Sequence, residues 1–195
     1  YSHARRNERQ IFGTMKILFA TQNPNKVKEI QGMMPKNILL IGLAELNVVE
    51  DIPETAKTLE GNAALKAKYI WKKFQIPCFA DDTGLEVETL HGEPGVRSAR
   101  YAGEQKDQKK NMALLLHKLK GKTNRKAQFR TSICYIHQNQ TIFFEGKVEG
   151  LILHEKRGTQ GFGYDPIFMP NGFKKSFAEM RLEEKNTISH RALAF

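Results

Sequence analysis

The chain has 195 residues, of which 31 are Lys or Arg and 21 are Asp or Glu, so its formal net charge is +10. A hydrophobic fraction of 40% and a mean hydropathy of −0.51 argue against intrinsic disorder and against a membrane protein, and the length suits one domain with a sizeable core. The positive charge leaves a nucleic acid, a nucleotide and plain solubility open as explanations. Cys78 and Cys134 form no CxxC motif, which argues against a zinc ribbon or a disulfide scaffold and fits a reducing cytoplasm.

The first residues differ in character from the rest of the chain. Residues 1–14 are polar, contain three arginines and show no apolar period, so we expect an upstream extension or a remnant of cloning, with Met15 as the functional start. Ile17–Ala20 is too short for the apolar region of a signal peptide. At the other end the chain stops at ALAF, soon after the predicted helix cap Ser189, so we expect a shortened C-terminal helix. One domain over residues 15–195 is predicted.

Apolar periodicity predicts strands and helices in alternation. The predicted strands are Lys16–Thr21, Ile38–Ile41, Cys78–Ala80, Leu85–Leu90, Ala127–His137, Thr141–Val148 and Gly150–Leu153. The predicted helices are Asn23–Met33, Thr58–Phe74, Asp107–Leu119, Ser176–Lys185 and a last one after Ser189. Asn23 before Pro24 is a helix-start signal, and Ser176 with Glu179 has the spacing of a capping box. Helices that precede a run of strands, with no repeat, indicate one α/β unit with a mixed sheet.

Two adjacent carboxylates end the third predicted strand. Asp81 and Asp82 begin a predicted acidic turn, Asp81–Gly84, at the strand end where ligands usually bind in α/β sheets. Hard cations such as Mg²⁺ prefer carboxylate oxygens together with substrate phosphate oxygens. The alternative is an acidic turn that caps the next element. Glu50, Asp51 and Glu54 add further acids in a loop, where solvated surface charge is the simpler explanation.

The segment Thr21–Lys26 joins a buried strand to the start of a helix. Backbone N–H groups, the helix dipole and Lys26 together can bind an anion, although the segment lacks the GxxxxGK[ST] pattern of a Walker A loop. An ordinary capped helix start explains the same pattern. Asn62 and Lys66 are four residues apart and therefore share one face of the second helix.

A glycine-rich loop follows the strand run. Residues 158–166 read GTQGFGYDP, whose glycine order and context differ from a dinucleotide fingerprint. Phe162 and Tyr164 can offer rings for a base to stack on, or they can be core aromatics in a turn. His190 and Arg191 follow the predicted cap Ser189 and can hydrogen-bond a base edge or a phosphate, or supply surface charge.

Six segments in order resemble the Ham1-type inosine/xanthosine triphosphate pyrophosphatase family. They are ATQNPNKVKE (20–29), TLEGNAALKAK (58–68), ADDTGLEV (80–87), PGVRSARYAG (94–103), GFGYDPIF (161–168) and EEKNTISHRALAF (183–195). The resemblance implies an elongated α/β fold with a central mixed sheet flanked by helices, and two lobes with a nucleotide cleft between them. It also implies a homodimer that hydrolyses ITP, dITP and XTP to the monophosphate and pyrophosphate with Mg²⁺, and so removes them from the nucleotide pool.

The same resemblance implies roles for individual residues. Asp82 matches the family's proton acceptor and one metal ligand, and Glu54 matches its other metal-ligating acid. The implied substrate contacts are Thr21, Gln22, Asn23, Pro24, Asn25, Lys26, Lys66, Thr83, Phe162, Gly163, Tyr164, Asp165, Lys185, His190 and Arg191. These residue types suit attack by water on the α-phosphorus, because cations neutralise the charge on the leaving pyrophosphate and a carboxylate activates the water.

Two rival functions stay open at this point. A basic nucleic-acid-binding protein would use the positive charge, although the chain has no basic arm after Met15, and its binding would weaken steeply with salt. A related enzyme for modified pyrimidine nucleotides would use the same metal chemistry. The resemblance favours a small nucleoside triphosphate over a nucleic acid polymer or a membrane as the partner.

Overall fold

A mixed sheet of seven strands runs through the part of the chain that the structure describes. This structure is a computed structural model, and it describes residues 14–48, 50 and 52–195. The strands are β1 (Met15–Phe19), β2 (Ile38–Gly42), β3 (Cys78–Val87), β4 (Pro94–Gly95), β5 (Lys126–His137), β6 (Gln140–Ile152) and β7 (Phe168–Pro170). Their order is β2-β1-β3-β5-β6-β7, and β4 pairs with β3 beside this path. Strand β1 pairs in parallel with β2 and β3, and the other pairs are antiparallel. This pairing confirms the predicted α/β class and mixed sheet.

Two helices begin directly after the capping residues that the sequence predicts, Asn23 and Ser189. The described helices are α1 (Pro24–Gln31), α2 (Leu59–Phe74), α3 (Gln108–Lys118), α4 (Leu182–Lys185) and α5 (His190–Ala194). Asn23 accepts a hydrogen bond from the N–H of Asn25 at the start of α1, and Ser189 accepts one from Ala192 at the start of α5. Within the described ranges no helix is long and apolar enough to cross a membrane. The extension predicted for residues 1–14 lies outside the described residues, apart from Thr14.

The acidic motif lies inside a strand. The predicted turn at Asp81–Gly84 is wrong, because β3 continues through the motif and pairs with β5 along its whole length. Thr83 supports this pairing through a 2.7 Å hydrogen bond between its hydroxyl and that of Thr131. A Cβ at Gly84 would lie only 2.7 Å from the carbonyl oxygen of Gly95. The glycine that suggested a turn therefore allows β4 to approach β3.

A second glycine, Gly150, also allows two strands to approach each other closely, farther along the sheet. We predicted a break between Thr141–Val148 and Gly150–Leu153, but β6 is continuous through both segments. A Cβ at Gly150 would lie 2.3 Å from the carbonyl oxygen of Met169 in β7. Gly150 is therefore required for the close pairing of β6 with β7, and it does not end the strand.

The capping box after the glycine-rich loop starts a shorter element than predicted. The Glu179 carboxylate accepts a 2.7 Å hydrogen bond from the N–H of Ser176, as the capping-box spacing predicts. Only one 3₁₀ turn, Phe177–Glu179, follows it. The backbone of Met180 is extended, with φ −93° and ψ 146°, so the helical conformation is interrupted and α4 begins at Leu182.

The side chains of β3 alternate between two faces of the sheet, and each face packs on different helices. One face packs on α2 through Leu18, Ala63, Ala67, Ile70, Cys78, Ala80 and Cys134. The other packs on α1 and α5 through Phe19, Ile30, Phe79, Ile133 and Ala194. A third apolar cluster, farther along β3 and β5, includes Leu85, Leu115, Phe129, Phe168 and Phe177. Because Asp81 and Asp82 are consecutive in β3, their carboxylates lie on opposite faces of the sheet.

Candidate active site

A cleft of about 410 Å³ collects most of the residues predicted for the site. Its volume lies in the range usual for small-ligand sites. The predicted residues that line it are Thr21, Gln22, Asn23, Lys26, Glu54, Lys66, Asp82, Thr83, Phe162, Gly163, Tyr164, Asp165, His190 and Arg191. Pro24, Asn25 and Lys185 are not part of the lining. Segments that are far apart in the sequence therefore form one concave surface.

Asp82 is held at the cleft by groups from α2 and from its own strand. The Nδ2 of Asn62 donates to Asp82 Oδ2 at 3.0 Å, and the N–H of Thr83 donates to Asp82 Oδ1 at 3.0 Å. Asn62 is oriented in turn, because its Oδ1 accepts a 2.9 Å hydrogen bond from the N–H of Ala56. The spacing of Asn62 and Lys66 placed them on one helical face, but the sequence alone gave no reason to connect Asn62 with Asp82.

Asp82 and Glu54 lie beside the same ammonium group but have opposite pKa shifts. Lys66 Nζ is 2.6 Å from Glu54 Oε1 and 3.9 Å from Asp82 Oδ1. Burial raises the pKa of Asp82, and the attraction of Lys66 and Lys26 does not fully offset this effect. For Glu54, burial also disfavours the charge, but Lys66 and the other neighbouring cations outweigh it and lower the pKa. The environment of Asp82 thus favours the protonated form and that of Glu54 the ionised form, so Asp82 is the carboxylate that suits proton abstraction.

The two carboxylates fit a divalent cation in their chemistry. Lys66 Nζ contacts both, so the two acids converge on one cationic position. Mg²⁺ is commonly bound by one or two carboxylates together with phosphate oxygens and water. Among the described residues no group of three or more His, Cys, Asp or Glu side chains could hold a metal ion. Glu54 and Asp82 thus suit a shared site that a phosphate ligand would complete.

The segment after β1 directs one cation and a helix start toward the cleft. Thr21 Oγ1 accepts a 3.1 Å hydrogen bond from the N–H of Asn23, which shapes the loop before α1. Lys26 Nζ lies 2.8 Å from Asp81 Oδ1. Burial lowers the pKa of Lys26, although the Asp81 carboxylate acts against this shift. With Lys66 on the opposite face of the sheet, two ammonium groups border the same cleft, an arrangement that suits a chain of phosphates.

A buried network of charges lies beside the cleft and includes Arg191, which lines it. Arg191 Nη1 is 2.7 Å from Glu29 Oε2, and Arg191 Nε is 3.3 Å from Asp81 Oδ2. Lys185 Nζ is 2.6 Å from Glu29 Oε1 and 2.6 Å from Asp165 Oδ2, which accounts for its absence from the lining. Burial disfavours the charge of Arg191, but Glu29 and Asp81 outweigh it and raise its pKa. The guanidinium is therefore charged and fixed in orientation.

The aromatic residues of the glycine-rich loop have different environments. Phe162 is partly exposed, with Lys185 Nζ at 5.2 Å and Arg191 Cζ at 5.1 Å from its ring centre. Tyr164 is buried, and its hydroxyl donates to the carbonyl of Ser98 at 2.8 Å. The sequence allowed either ring to stack on a base or to pack in the core. Phe162 can stack on a ligand, whereas Tyr164 packs into the core.

His190 is buried beside the cleft and its ring stacks on Phe129 at a centroid distance of 4.6 Å. Burial lowers its pKa, and the neighbouring Arg191 and Lys185 lower it further, so the imidazole is neutral near pH 7. Its Nδ1 has no hydrogen-bond partner within the described residues. A neutral imidazole at this position can exchange a hydrogen bond with a ligand.

Two charged residues of this region were missed by the sequence analysis. Glu29 lies three residues after Lys26 on the buried side of α1, where a carboxylate among apolar residues was the available signal. Arg100 donates from Nη2 to the carbonyl oxygen of Glu54 at 3.0 Å and lies 3.5 Å from its Oε2. No local pattern connects Arg100 with Glu54, because 46 residues separate them.

Comparison with known proteins gives one consistent result. The sequence model of the Ham1 family matches residues 17–195. The dITP/XTP pyrophosphatase of Flavobacterium psychrophilum is 54% identical over 92% of this chain and 95% of that protein, and the dITP/XTP pyrophosphatase of Bacillus subtilis is 46% identical over 90% of each. The Ham1 protein of Staphylococcus aureus superimposes with a TM-score of 0.82 at 42% identity, covering 92% of this chain and 93% of that one. A HAM1 protein from Coxiella burnetii has a TM-score of 0.83 at 36% identity, with 92% and 94% covered.

Proposed function

Since the chain belongs to the Ham1 family, we propose that it is a pyrophosphatase that hydrolyses non-canonical purine nucleoside triphosphates, with dITP, ITP and XTP as substrates. The products are the nucleoside monophosphate and pyrophosphate. One observation carries the proposal: Asp82, Lys26, Lys66 and Arg191 line a single cleft. Hydrolysis between the α- and β-phosphates of a selected purine nucleotide requires a general base, positive charge beside the phosphates and a group that recognises the purine. Asp82, the two lysines and Arg191 supply these in that order.

The reaction that suits these residues is direct attack by water. Asp82 accepts a proton from the water that attacks the α-phosphorus, and its raised pKa makes it a stronger base than an exposed aspartate. Asn62 keeps the carboxylate in place through the 3.0 Å hydrogen bond to Oδ2. Lys26 and Lys66 stabilise the negative charge that develops on the leaving pyrophosphate. Water, not a side chain, is the nucleophile.

We propose Mg²⁺ as the cofactor, held by Glu54 and Asp82 together with substrate phosphates. When bound, the ion supplies positive charge that stabilises the phosphate oxygens during the displacement. Arg100 supports this arrangement, because its contacts to the main chain and carboxylate of Glu54 keep that residue facing the cleft.

Base selection is assigned to Arg191. Its guanidinium carries only hydrogen-bond donors, so it favours the 6-oxo group of hypoxanthine or xanthine and offers no acceptor to the 6-amino group of adenine. The contacts to Glu29, Asp81 and Thr83 use one N–H on each of its three nitrogens, and further N–H groups on Nη1 and Nη2 remain for a ligand. Guanine also carries a 6-oxo group. This contact therefore distinguishes the substrates from adenine nucleotides but does not distinguish them from guanine nucleotides.

A pyrophosphate-release assay tests the function. With Mg²⁺ present, dITP, ITP and XTP should be hydrolysed much faster than ATP, GTP or dUTP, and omission of Mg²⁺ should abolish turnover. Equal rates with all nucleotides would reduce the proposal to an unselective pyrophosphatase. Preference for dUTP would instead favour the pyrimidine enzyme considered in the sequence analysis.

The homodimer implied by the family resemblance and the cytoplasmic location suggested by the scarcity of cysteines both stay predictions. Light scattering coupled to size-exclusion chromatography measures the first, because a dimer has twice the 22.3 kDa mass of the chain. A monomer at micromolar concentration would contradict the predicted dimer without affecting the assignment of the active site.

A further inference from the structure

One buried carboxylate contacts both ends of the proposed substrate site without lining the cleft. Asp81 is 1% exposed and is not part of the lining. Its Oδ1 lies 2.8 Å from Lys26 Nζ, on the phosphate side, and its Oδ2 lies 3.3 Å from Arg191 Nε, on the base side. Oδ2 also accepts a 3.2 Å hydrogen bond from the hydroxyl of Thr83. The two oxygens are thus divided between the two ends.

The position of Arg191 depends on two carboxylates that form ion pairs with different nitrogens of its guanidinium. Glu29 contacts Nη1 at 2.7 Å, while Asp81 contacts Nε. The third nitrogen, Nη2, has only a 3.4 Å contact with the Thr83 hydroxyl, and that hydroxyl itself donates to Asp81. Loss of Asp81 therefore removes the contact at Nε and the acceptor that orients the Thr83 hydroxyl, so Glu29 remains the one carboxylate of these two that holds the guanidinium.

The electrostatics of Asp81 support a shared role. Burial disfavours its charge, but Lys26 and Arg191, with a smaller contribution from Lys66, outweigh that effect and hold its pKa well below the usual range. Of these three cations, Lys26 and Arg191 contact the carboxylate directly. If Lys26 is removed, Oδ1 loses its 2.8 Å partner, and the contacts with Arg191 and Thr83 at Oδ2 then set the orientation of the carboxylate.

We propose that Asp81 is a positioning residue that couples Lys26 to Arg191, so that a change at the phosphate end alters the choice of base. This inference rests on the proposed function and adds to it a connection between two subsites. It assigns Asp81 no contact with the substrate. Its particular consequence is that Lys26, which faces phosphates, contributes to the discrimination between purine bases.

Lys66 offers a matched control for Lys26. Both lysines line the cleft and are assigned to phosphates, but Lys66 hydrogen-bonds to Glu54, on the face of the sheet opposite Asp81. The measured quantity is the ratio of kcat/KM for dITP to kcat/KM for dATP in the full chain. This ratio does not depend on the fraction of folded enzyme, so a purely structural loss leaves it unchanged.

Three variants test the proposal. Lys26→Gln and Asp81→Asn should each lower the dITP/dATP ratio by about 10-fold, the size of a typical coupling between sites. Lys66→Gln should lower turnover yet keep the ratio within roughly twofold of the wild type, as expected for uncoupled positions. If Asp81→Asn does not fold, comparison of the dITP/dATP ratio in Lys26→Gln with that in Lys66→Gln still tests the proposed coupling.

The outcomes separate the two proposals. A wild-type enzyme without preference for dITP would refute the proposed function. A wild-type enzyme that prefers dITP, with an unchanged ratio in Lys26→Gln, would refute the coupling and leave the proposed function intact. An equal fall of the ratio in Lys26→Gln and Lys66→Gln would also refute it, because any lost phosphate contact would then have the same effect.

Discussion

At the scale of single residues, Asp82 carries the strongest prediction. Replacement by Asn removes the proton acceptor while preserving the size of the side chain, so kcat for dITP should fall by roughly 10²- to 10⁴-fold, the usual contribution of a general base. The fold should persist, because the folded state gives up a buried charge of raised pKa. Steady-state kinetics and thermal melting monitored by circular dichroism measure the two effects.

Glu86 provides the control for this substitution. It lies on the same strand, pairs with Arg130 at 3.1 Å and does not line the cleft. Glu86→Gln should therefore leave kcat within about twofold of the wild type while it removes a carboxylate of β3. Substantial turnover by Asp82→Asn would show that another group, or none, accepts the proton.

The pH dependence follows from the shift of the same residue. Asp82 must be ionised to act as a base, and in the enzyme without bound Mg²⁺ its pKa lies above its ordinary value of 3.8. Because kcat/KM reports the free enzyme, it should fall as the pH falls through this raised pKa. The sign for stability is opposite: a raised pKa in the folded state favours the protonated form, so Asp82 costs stability as the pH rises through that pKa. Asp82→Asn should consequently melt no lower than the wild type at pH 7.

A pH series of kcat/KM and of melting temperature, measured on the same samples, checks both statements. Asp81 has a lowered pKa, so it stabilises the fold above the pKa of the unfolded chain, and this contribution is lost only as the pH falls through the lowered value. An acid limb at the ordinary pKa of an exposed aspartate, in enzyme that is still folded, would contradict the proposed environment of Asp82.

Sequence motifs identified residues that line the cleft, but not the contacts that connect them. Asp82, Lys26 and Arg191 lie in three of the six motifs, and all three line the cleft. The contacts that orient them join distant positions: 55 residues separate Lys26 from Asp81, and 162 separate Glu29 from Arg191. No local spacing predicts such pairs, because they exist only once the helices have packed on the sheet.

At the scale of elements, the helix caps at Asn23 and Ser189 were predictable, whereas the continuity of β3 and β6 was not. A cap such as Ser189 needs only its own side chain and the next three residues, so its signal is local. The continuity of β3 across Asp81–Gly84 depends on pairing with β5 and on cations from α1, α2 and α5 that neutralise the buried acids. Adjacent acids and a glycine therefore indicated a turn where tertiary contacts maintain a strand.

The cap of α5 connects local structure to base selection. Ser189 is buried, and its hydroxyl accepts a hydrogen bond from Ala192 at the start of the helix that carries Arg191. Ser189→Ala should cost about 1 kcal/mol of stability, a typical value for a lost cap, and should raise KM for dITP. Thermal melting and steady-state kinetics on the same preparation measure the two losses.

Thr89→Ala is the matched variant away from the cleft. The Thr89 hydroxyl donates a 2.7 Å hydrogen bond to the carbonyl oxygen of Asn124, and neither residue lines the cleft. A similar loss of stability, about 1 kcal/mol for one hydrogen bond, with an unchanged KM is expected there. If both variants raised KM equally, the effect of Ser189 would be general destabilisation instead of displacement of Arg191.

At the scale of the whole molecule, the net charge of +10 has little to do with the site. The cations at the cleft are paired with carboxylates, Lys26 with Asp81, Lys66 with Glu54 and Arg191 with Glu29. Each pair adds no net charge, so the excess comes from other positions. The charge was compatible with any polyanion, and the selective information lay in the order of the motifs and in the geometry that they form.

The cleft also joins separate parts of the core, and ligand binding should therefore stabilise the whole fold. Its lining includes Leu43, which packs on the α2 side, and Phe129 of the third cluster. A ligand at about 100 times its Kd, bound only by the folded state, adds about 2.7 kcal/mol. For a chain of this size that corresponds to a rise in Tm of roughly 5–10 °C.

The inactive Asp82→Asn variant allows this measurement, because it should bind substrate without consuming it. We expect dITP with Mg²⁺ to raise its melting temperature in differential scanning fluorimetry, and dATP at the same concentration to raise it less. Adding Arg191→Gln to the variant should remove the difference between the two nucleotides while it preserves the shift due to the phosphates. Equal shifts with dITP and dATP in Asp82→Asn would mean that the base is not read in the bound state, and selection would then have to arise in the chemical step.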